Sequence, residues 1–154
     1  MKASETNFFN FYKVQNQFII PIYQRKYSWT IDQCREHWND IVRASMDDEI
    51  KGHFVGSIFY IERGLNQISA VPQLLVIDGQ QRMTTLSVVV CFGKSKKESE
   101  ETYDITNKKL KNYYIVNNDE EDNLYHKLLL TKADKKTLLS LVNEKELPDE
   151  LELV

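Results

Sequence analysis

The spacing of apolar residues predicts a strand, a helix and a second strand in the first 62 residues. Residues 18–25 are predicted to form a short extended segment, and Pro21 suits a strand end because it donates no backbone hydrogen bond. Thr30 and Gln33 form a capping-box pair, which predicts that a helix begins there. Residues 53–62 are rich in β-branched and aromatic types and indicate a strand. The helix carries one apolar stripe: Ile31, Cys34, Trp38, Ile41, Val42, Ser45 and Met46.

The same helix holds a histidine that we place on its polar side. His37 lies beside Trp38, which we expect to face the core. Farther along the chain, residues 73–77 predict a strand and residues 80–92 a helix that is apolar almost all round, hence buried. Residues 64–71 between the two strands indicate a loop or hairpin connection.

After Phe92 the composition becomes rich in lysine, serine and glutamate, and residues 93–101 are expected to form an exposed loop or a frayed helix end. Residues 113–116 and 127–130 are predicted to be the two strands of a hairpin. Thr131 is predicted to cap a last helix with apolar positions at Leu138, Leu139, Leu141 and Val142. We expect one domain over residues 1–142, followed by an acidic tail, 143–154, that begins a missing C-terminal region.

Composition favours a cytoplasmic globular domain. The chain has 154 residues, 42% of them hydrophobic and 28% charged, and a net charge of -3. It has no run long enough for a membrane span and no secretory signal. Cys34 and Cys91 have no metal or redox spacing, and the three histidines have no zinc-ligand spacing.

The most informative segment is the apolar run 74–77, which ends at Asp78-Gly79 and passes directly into a predicted helix. A strand that turns into a helix exposes free N–H groups and the positive end of the helix dipole, where phosphates bind. Gly79 allows close approach of the backbone, and Arg82 supplies a forked cation. No Walker loop, G-x-x-x-x-G-K-[ST], occurs in the chain.

Helical spacing predicts that Asp78, Gln81, Arg82 and Thr85 share one face. Asp78 is placed to cap the helix, and Gln80 or Gln81 to hydrogen-bond a ligand or orient a water. The alternative is that Asp78 only caps the helix and pairs with Arg82, a contact worth about 0.3–0.5 kcal/mol.

A second candidate group contains Arg and aromatic residues around Pro21: Tyr23, Gln24, Arg25, Tyr27 and Trp29. Such residues can form a lip that stacks on a base and holds phosphate. The alternative is an ordinary strand end whose aromatic side chains enter the core while Arg25 is solvated.

Three motifs together resemble one family. Residues 20–29, IPIYQRKYSW, are similar to the I-P-x-Y-Q-R-x-Y-x-W signature of the GmrSD-type restriction endonuclease N-terminal domain. Residues 54–58, FVGSI, resemble its F-x-G-S-I strand, and residues 76–86, VIDGQQRMTTL, resemble its V-I-D-G-Q-Q-R-x-T-T-L core. The segment 128–134 also resembles the family, so that the likeness covers about residues 15–142 in the expected order.

The resemblance implies an α+β fold of the ParB/sulfiredoxin-like type, a small mixed sheet with packed helices. It also implies binding and hydrolysis of a nucleoside triphosphate, possibly with Mg²⁺, in defence against phage DNA with modified bases or backbone. An HNH-type nuclease domain or separate subunit would be the partner; DNA cleavage by this chain alone is not expected. The nucleotide pocket implied by the resemblance contains Tyr23, Gln24, Arg25, Asp78, Gly79, Gln80, Gln81 and Arg82.

Three hypotheses follow from the sequence. In the first, the chain is a nucleotide-hydrolysing regulatory domain in which Asp78, Gln80, Gln81 and Arg82 act in catalysis. In the second, it is a non-catalytic module that holds nucleotide or a DNA phosphate as a recognition or switching element. In the third, it is a protein-interaction fragment in which the D-G-Q-Q-R segment is only a helix cap.

Overall fold

The computed structural model describes residues 4–49, 52–63, 71–95 and 107–143, which form six helices and four strands. The helices are α1 (Phe8–Lys13), α2 (Ile31–Met46), α3 (Gln80–Ser95), α4 (Asn107–Leu110), α5 (Asp122–Tyr125) and α6 (Lys132–Val142). A π-helical turn, Lys111–Ile115, continues α4. The strands are β1 (Gln17–Ile19), β2 (Phe59–Glu62), β3 (Gln73–Asp78) and β4 (Leu128–Leu129).

The four strands form one mixed sheet in the order β2-β3-β1-β4. β1 runs parallel to β3 on one side and to β4 on the other, whereas β2 is antiparallel to β3. A small mixed sheet packed with helices is the α+β class that the sequence predicts. β3 lies inside the sheet and ends at Asp78, and α3 begins two residues later, so that the predicted strand-to-helix turn is confirmed.

The core lies where the sheet meets α1, α3, the π-helical turn and α6. α3 is buried over most of its first half, but not for the reason expected from an apolar sequence: most of the buried residues there are polar, whereas the apolar residues 88–91 are half-buried. The buried polar residues are Gln80, Gln81, Thr84, Thr85 and Ser87. The core cluster contains Tyr12, Phe18, Ile20, Leu74, Val76, Met83, Ile115, Val116, Leu128, Leu138 and Val142.

The capping box that predicts α2 is confirmed, but the orientation of the helix is not the expected one. The Thr30 side chain accepts from the backbone N–H of Gln33, and the Gln33 side chain accepts from that of Thr30. Trp38, expected in the core, is 50% exposed, whereas His37, expected on the polar side, is only 9% exposed. The edge-on contact between His37 and the Trp29 ring, 5.3 Å between centroids, accounts for this reversal.

The predicted strand over 53–62 is correct only in its last four residues, β2. Gly56 has a φ of +105°, a conformation that glycine adopts readily and that interrupts an extended strand. In addition, the Ser57 carbonyl accepts a hydrogen bond from the Arg82 side chain and not from a neighbouring strand. Residues 53–58 therefore run across the start of α3 as a loop, which we call the 53–58 loop.

The predicted hairpin of 113–116 and 127–130 is wrong in its first strand. Residues 111–115 form the π-helical turn. The prediction failed because a short apolar run has no periodicity that distinguishes a strand from a helix. Only one antiparallel bridge, Val116 with His126, remains of the expected hairpin. The second strand exists as β4, but it pairs with β1.

The last helix begins after Thr131 as predicted, with the Thr131 backbone in the N-cap position. Of its predicted apolar positions, Leu138 and Val142 are in the core. Most of the predicted 64–71 connection, most of the 93–101 loop and nearly all of the 143–154 tail lie outside the described residues. Within the described part of the chain, no helix is long and apolar enough to cross a membrane.

Candidate functional site

The turn between β3 and α3 is shaped by Gly79. Its φ is +96°, and a Cβ atom there would lie 3.1 Å from the Ser57 carbonyl oxygen and 3.2 Å from the Ile58 Cα. A side chain would therefore be strained and would also collide with the 53–58 loop. Glycine at this position allows that loop to pack directly on the helix start.

The first turn of α3 has backbone donors without acceptors. The Met83 N–H bonds to the Gly79 carbonyl, which closes the first helical turn. For the N–H groups of Gln80, Gln81 and Arg82, the described residues provide no acceptor. A sixteen-residue helix thus presents three open donors at its positive end, the arrangement that binds anions.

The two glutamines of the turn hold the segment 25–28. Gln80 Nε2 donates to the Arg25 carbonyl at 3.1 Å, and the Gln81 side chain donates to the Lys26 carbonyl at 3.2 Å. Gln81 Oε1 also accepts from the Ser28 N–H at 3.0 Å. Both side chains are buried. These bonds join the two motifs that sequence reasoning singled out separately, and they commit both amides to backbone positioning.

Arg82 points away from the glutamines, toward the 53–58 loop. Its Nη2 donates to the Ser57 carbonyl at 2.9 Å and lies 3.8 Å from the Asp78 carboxylate. A Cβ atom on Gly56 would lie 2.5 Å from Arg82 Nη1, so that the guanidinium occupies the space that this glycine leaves. Arg82 Nε is buried and has no hydrogen-bond partner within the described residues.

The predicted common face of Asp78, Gln81, Arg82 and Thr85 is therefore wrong. Gln81 and Thr85 face the 25–28 segment, while Arg82 and Asp78 face the 53–58 loop. Neighbouring helix positions diverge by about 100°, and each side of the turn has its own partner. Asp78 is 68% exposed, and no backbone N–H of α3 donates to its carboxylate in the described structure.

The lip formed by Tyr23, Gln24 and Arg25 projects from the end of β1 beside this turn. Tyr23 is 70% exposed. Gln24 Nε2 donates to the Ile77 carbonyl at 2.9 Å, which fixes the lip to the end of β3. The Arg25 side chain is exposed and borders a small cleft whose other walls are Ile20, Tyr27, Gln80, Gln81, Thr84, Leu130, Thr131 and Asp134.

Tyr27 anchors the lip from below. Its backbone N–H donates to Asp134 Oδ2 at 2.9 Å, and its hydroxyl lies 2.8 Å from Thr85 Oγ1 and 3.2 Å from Cys34 Sγ. Because Thr85 donates to the Gln81 carbonyl, the Tyr27 hydroxyl is the donor to Thr85. Burial, and the bond to Cys34 after it, raise the pKa of Tyr27 to about 12, so that the hydroxyl keeps its proton.

Sequence reasoning missed several residues of this site. Ser57 and Gly56 hold Arg82, and Asp134 holds the backbone of Tyr27. The buried His37 was also missed. The separations along the chain, 25 residues between Ser57 and Arg82 and 107 between Tyr27 and Asp134, leave no local pattern that could identify these contacts. The described residues contain no group of three or more side chains suited to hold a metal ion.

Comparison with known protein families identifies a match. The family model described as "GmrSD restriction endonuclease, N-terminal domain" matches residues 6–153, nearly the whole chain. The fold described above is consistent with a ParB-like domain, as the motifs lead us to expect. No curated protein matches the chain.

Proposed function

The chain belongs to the GmrSD restriction endonuclease N-terminal domain family, and from this premise we propose that it binds and hydrolyses a nucleoside triphosphate. The family places it in a restriction, phage-defence protein. The observation that carries the proposal is the start of α3. Three backbone N–H groups lie there without acceptors in the described structure, and the Arg82 side chain extends from the same turn to the 53–58 loop.

The chemistry of the site suits a phosphate chain. Open N–H groups at a helix start and the Arg82 side chain are donors to phosphate oxygens, and the exposed Arg25 adds a second positive charge. The exposed ring of Tyr23 provides a flat surface for a base. Since the cleft beside Arg25 is smaller than the roughly 300–1,000 Å³ typical of ligand pockets, we expect most of the nucleotide to lie on the open side of the turn.

In the proposed reaction a water molecule attacks the terminal phosphorus and the products are a nucleoside diphosphate and inorganic phosphate. Arg82 and Arg25 would stabilise the charge that develops on the phosphate oxygens. Asp78, exposed at the end of β3, would hold a Mg²⁺ ion or fix the turn. Gln80 and Gln81 would act by positioning the 25–28 segment, since their amides already bond to its backbone.

Within the whole defence protein, we propose that nucleotide binding regulates a nuclease domain or subunit acting on modified phage DNA. This part of the proposal rests on family membership.

A second function is favoured by the glutamine contacts. The Gln81 amide is bonded to backbone through both its nitrogen and its oxygen, and the Gln80 amide through its nitrogen. Glutamines that position the backbone in this way suit a non-catalytic recognition module. In that case the same phosphate site holds a nucleotide or a DNA phosphate without turnover.

A thermal-shift titration with ATP, GTP, CTP and UTP in Mg²⁺ tests the binding site. A specific nucleotide at a hundredfold excess over its dissociation constant should add about 2.7 kcal/mol to the free energy of unfolding. Arg82→Ala should abolish this gain. Arg35→Ala is the matched control, because Arg35 is an exposed arginine of α2 paired only with Asp32. A gain that persists in Arg82→Ala would contradict the proposed site.

Release of inorganic phosphate separates the two functions. Steady release that Arg82→Ala abolishes and Arg35→Ala leaves intact supports hydrolysis. Binding without release supports the recognition module, and DNA-phosphate binding should then fall steeply with ionic strength.

A further inference from the structure

The start of α6 has the spacing of a capping box but does not form one. Thr131 is the N-cap residue and Asp134 follows three positions later, as Gln33 follows Thr30 at the start of α2. At α2, the two side chains accept from backbone N–H groups at the start of their own helix. At α6, the Thr131 side chain caps no backbone N–H group, and its hydroxyl lies 3.3 Å from Asp134 Oδ2. The Thr131 and Asp134 side chains are therefore engaged elsewhere.

The Asp134 carboxylate bonds to a residue 107 positions earlier in the chain. Its Oδ2 atom accepts from the backbone N–H of Tyr27 at 2.9 Å, and the Thr131 hydroxyl donates to the same oxygen atom. An ionised carboxylate makes a stronger hydrogen bond with a backbone N–H than a neutral acceptor does. The local cap of α6 is thus given up for a bond between two distant parts of the fold, and such a departure from a local rule is expected where function requires it.

Asp134 gives the 25–28 segment an anchor on a second helix. Side chains of α3 also bond to this segment, those of Gln80, Gln81 and Thr85. Residues of both helices line the small cleft beside Arg25. The position of the segment therefore depends on α6 as well as on α3.

The lip continues directly into this segment. Gln24 bonds to the end of β3 and Tyr27 bonds to Asp134, so that the backbone of Arg25 is held on both sides. The side chains of Tyr23 and Arg25 are exposed, and both can therefore meet a ligand. Ordering a segment on binding costs free energy, and a lip that is already held in place avoids that cost.

We propose that Asp134 is a positioning residue of the nucleotide site, which holds the lip in the conformation that receives a nucleotide. The inference rests on the proposed function and adds to it a residue that acts through Tyr27 and the lip. Asp134 also borders the cleft beside Arg25, so that a direct contact with the nucleotide is the rival role. The two roles differ in what they require: holding Tyr27 needs an oxygen acceptor at position 134, whereas a direct role needs the charge of the carboxylate.

The test measures binding of ATP, GTP, CTP and UTP, each with Mg²⁺, to the 154-residue chain by isothermal titration calorimetry. Asp134→Ala removes the acceptor, and Asp134→Asn keeps an oxygen that can accept from Tyr27 while removing the charge. Asp32→Ala is the matched control, because Asp32 is an exposed aspartate in the first turn of α2 and is paired with Arg35. The melting temperature of each free variant is recorded, so that binding is compared between folded proteins.

Asp134→Ala should weaken nucleotide binding roughly tenfold, because the lip then occupies its binding conformation in a smaller fraction of the molecules. Asp134→Asn should restore an affinity close to that of the unaltered chain, since its side-chain oxygen again accepts from the Tyr27 N–H. Asp32→Ala should bind as the unaltered chain does.

A coupling measurement separates positioning from a general loss of structure. In a chain that already carries Tyr23→Ala and Arg25→Ala, Asp134→Ala should cause little further loss of nucleotide affinity, because the lip side chains through which it acts are absent. An equal loss in both backgrounds would mean that Asp134 does not act through the lip, and it would overturn the inference.

Three further outcomes overturn the inference in distinguishable ways. If Asp134→Ala is folded and binds nucleotide as tightly as the unaltered chain, the positioning role is wrong and the proposed function stands. If Asp134→Asn loses as much affinity as Asp134→Ala, the charge of the carboxylate acts on the nucleotide directly. If none of the four nucleotides binds to the unaltered chain, the proposed function is wrong and the inference with it.

Thr131→Val takes the place of Asp134→Ala if the latter does not fold. This variant keeps the carboxylate and removes the hydroxyl that donates to Asp134 Oδ2. Nucleotide binding should then be weakened by a smaller factor than the loss of the carboxylate would cause, and unchanged binding in Thr131→Val together with unchanged binding in Asp134→Leu would contradict the positioning role.

Discussion

Two cationic side chains of this domain, Lys127 and Arg82, have opposite environments. Lys127, next to β4, is 2% exposed, and its ammonium group donates to the carbonyls of Tyr12, Lys13 and Val14 at 2.8, 3.4 and 2.8 Å. All three of its donors are thus used at the end of α1. Arg82 bonds to one carbonyl through Nη2 and leaves the buried Nε without a partner in the described structure.

The difference in hydrogen bonding indicates a structural role for Lys127 and a candidate ligand-binding role for Arg82. Lys127 completes the C-terminal end of a short helix, where free carbonyls need donors. Burial lowers the pKa of the Lys127 ammonium group to about 8. Arg82, by contrast, retains a hydrogen-bond donor without a partner in the described structure and lies in the helix turn whose backbone N–H groups are open. Unsatisfied donors that cluster at one place indicate where an acceptor belongs.

The largest effect should come from Lys127→Met. The substitution keeps an apolar chain of similar length but leaves the buried carbonyls at the end of α1 without a donor, at a cost of roughly 1–3 kcal/mol for each unpaired group. We expect the free energy of unfolding in urea to fall by about 3 kcal/mol in total. Nucleotide binding per folded molecule should be unchanged, because Lys127 is remote from the start of α3 in the hydrogen-bond network.

Lys132→Met is the matched control for that experiment, since Lys132 is an exposed lysine in the first turn of α6. Its unfolding free energy should stay within about 0.5 kcal/mol of that of the unaltered chain. Equal stability of the Lys127 and Lys132 variants would show that the three carbonyl bonds do not stabilise the fold.

Gly56→Ala should have the next largest effect and should act on the other region. A methyl group would lie 2.5 Å from Arg82 Nη1, and the φ of +105° is strained for alanine. We expect a loss of roughly 1–3 kcal/mol in unfolding free energy, together with weaker nucleotide binding as Arg82 is displaced. Gly52→Ala is the control, because nothing lies within 4 Å of its Cβ position. If Gly56→Ala binds nucleotide as tightly as the unaltered chain, the 53–58 loop does not contribute to the nucleotide site.

The sequence predicts the local parts of this site and fails for contacts that need the fold. The start of α2 was predictable because a capping box is a pattern within four residues. The β3–α3 turn was predictable for the same reason, since an apolar run that ends in Asp-Gly before a helical segment is local. The turn that forms the candidate phosphate site could thus be predicted from the sequence.

The environments of His37 and Arg82 depend on distant residues and could not be predicted. Helical periodicity assigned Trp38 to the core, but in the fold Trp38 is exposed, and His37 is buried with its ring against Trp29. Likewise, Arg82 was expected to be free for phosphate, but a glycine 26 positions earlier leaves the space that its guanidinium occupies. Tertiary packing determined both outcomes.

The smallest expected effect is a pH dependence of stability to which His37 and His126 contribute and Lys127 does not. The pKa values of His37 and His126 are lowered, in both cases chiefly by burial. Below the unfolded pKa of about 6.5 the unfolded chain binds more protons than the folded one. Stability is therefore complete above pH 6.5 and falls as the pH drops through the lowered pKa values. Lys127 stays protonated throughout this range, because its pKa is about 8.

His37→Phe should make this acid loss of stability shallower and leave only the part due to His126, as measured by urea unfolding at a series of pH values from 7 downward. In Lys127→Met the curve should keep its slope and be displaced to lower stability. A curve for His37→Phe parallel to that of the unaltered chain would mean that His37 does not titrate in this range, and the contrast between the two regions would then rest on Arg82 alone.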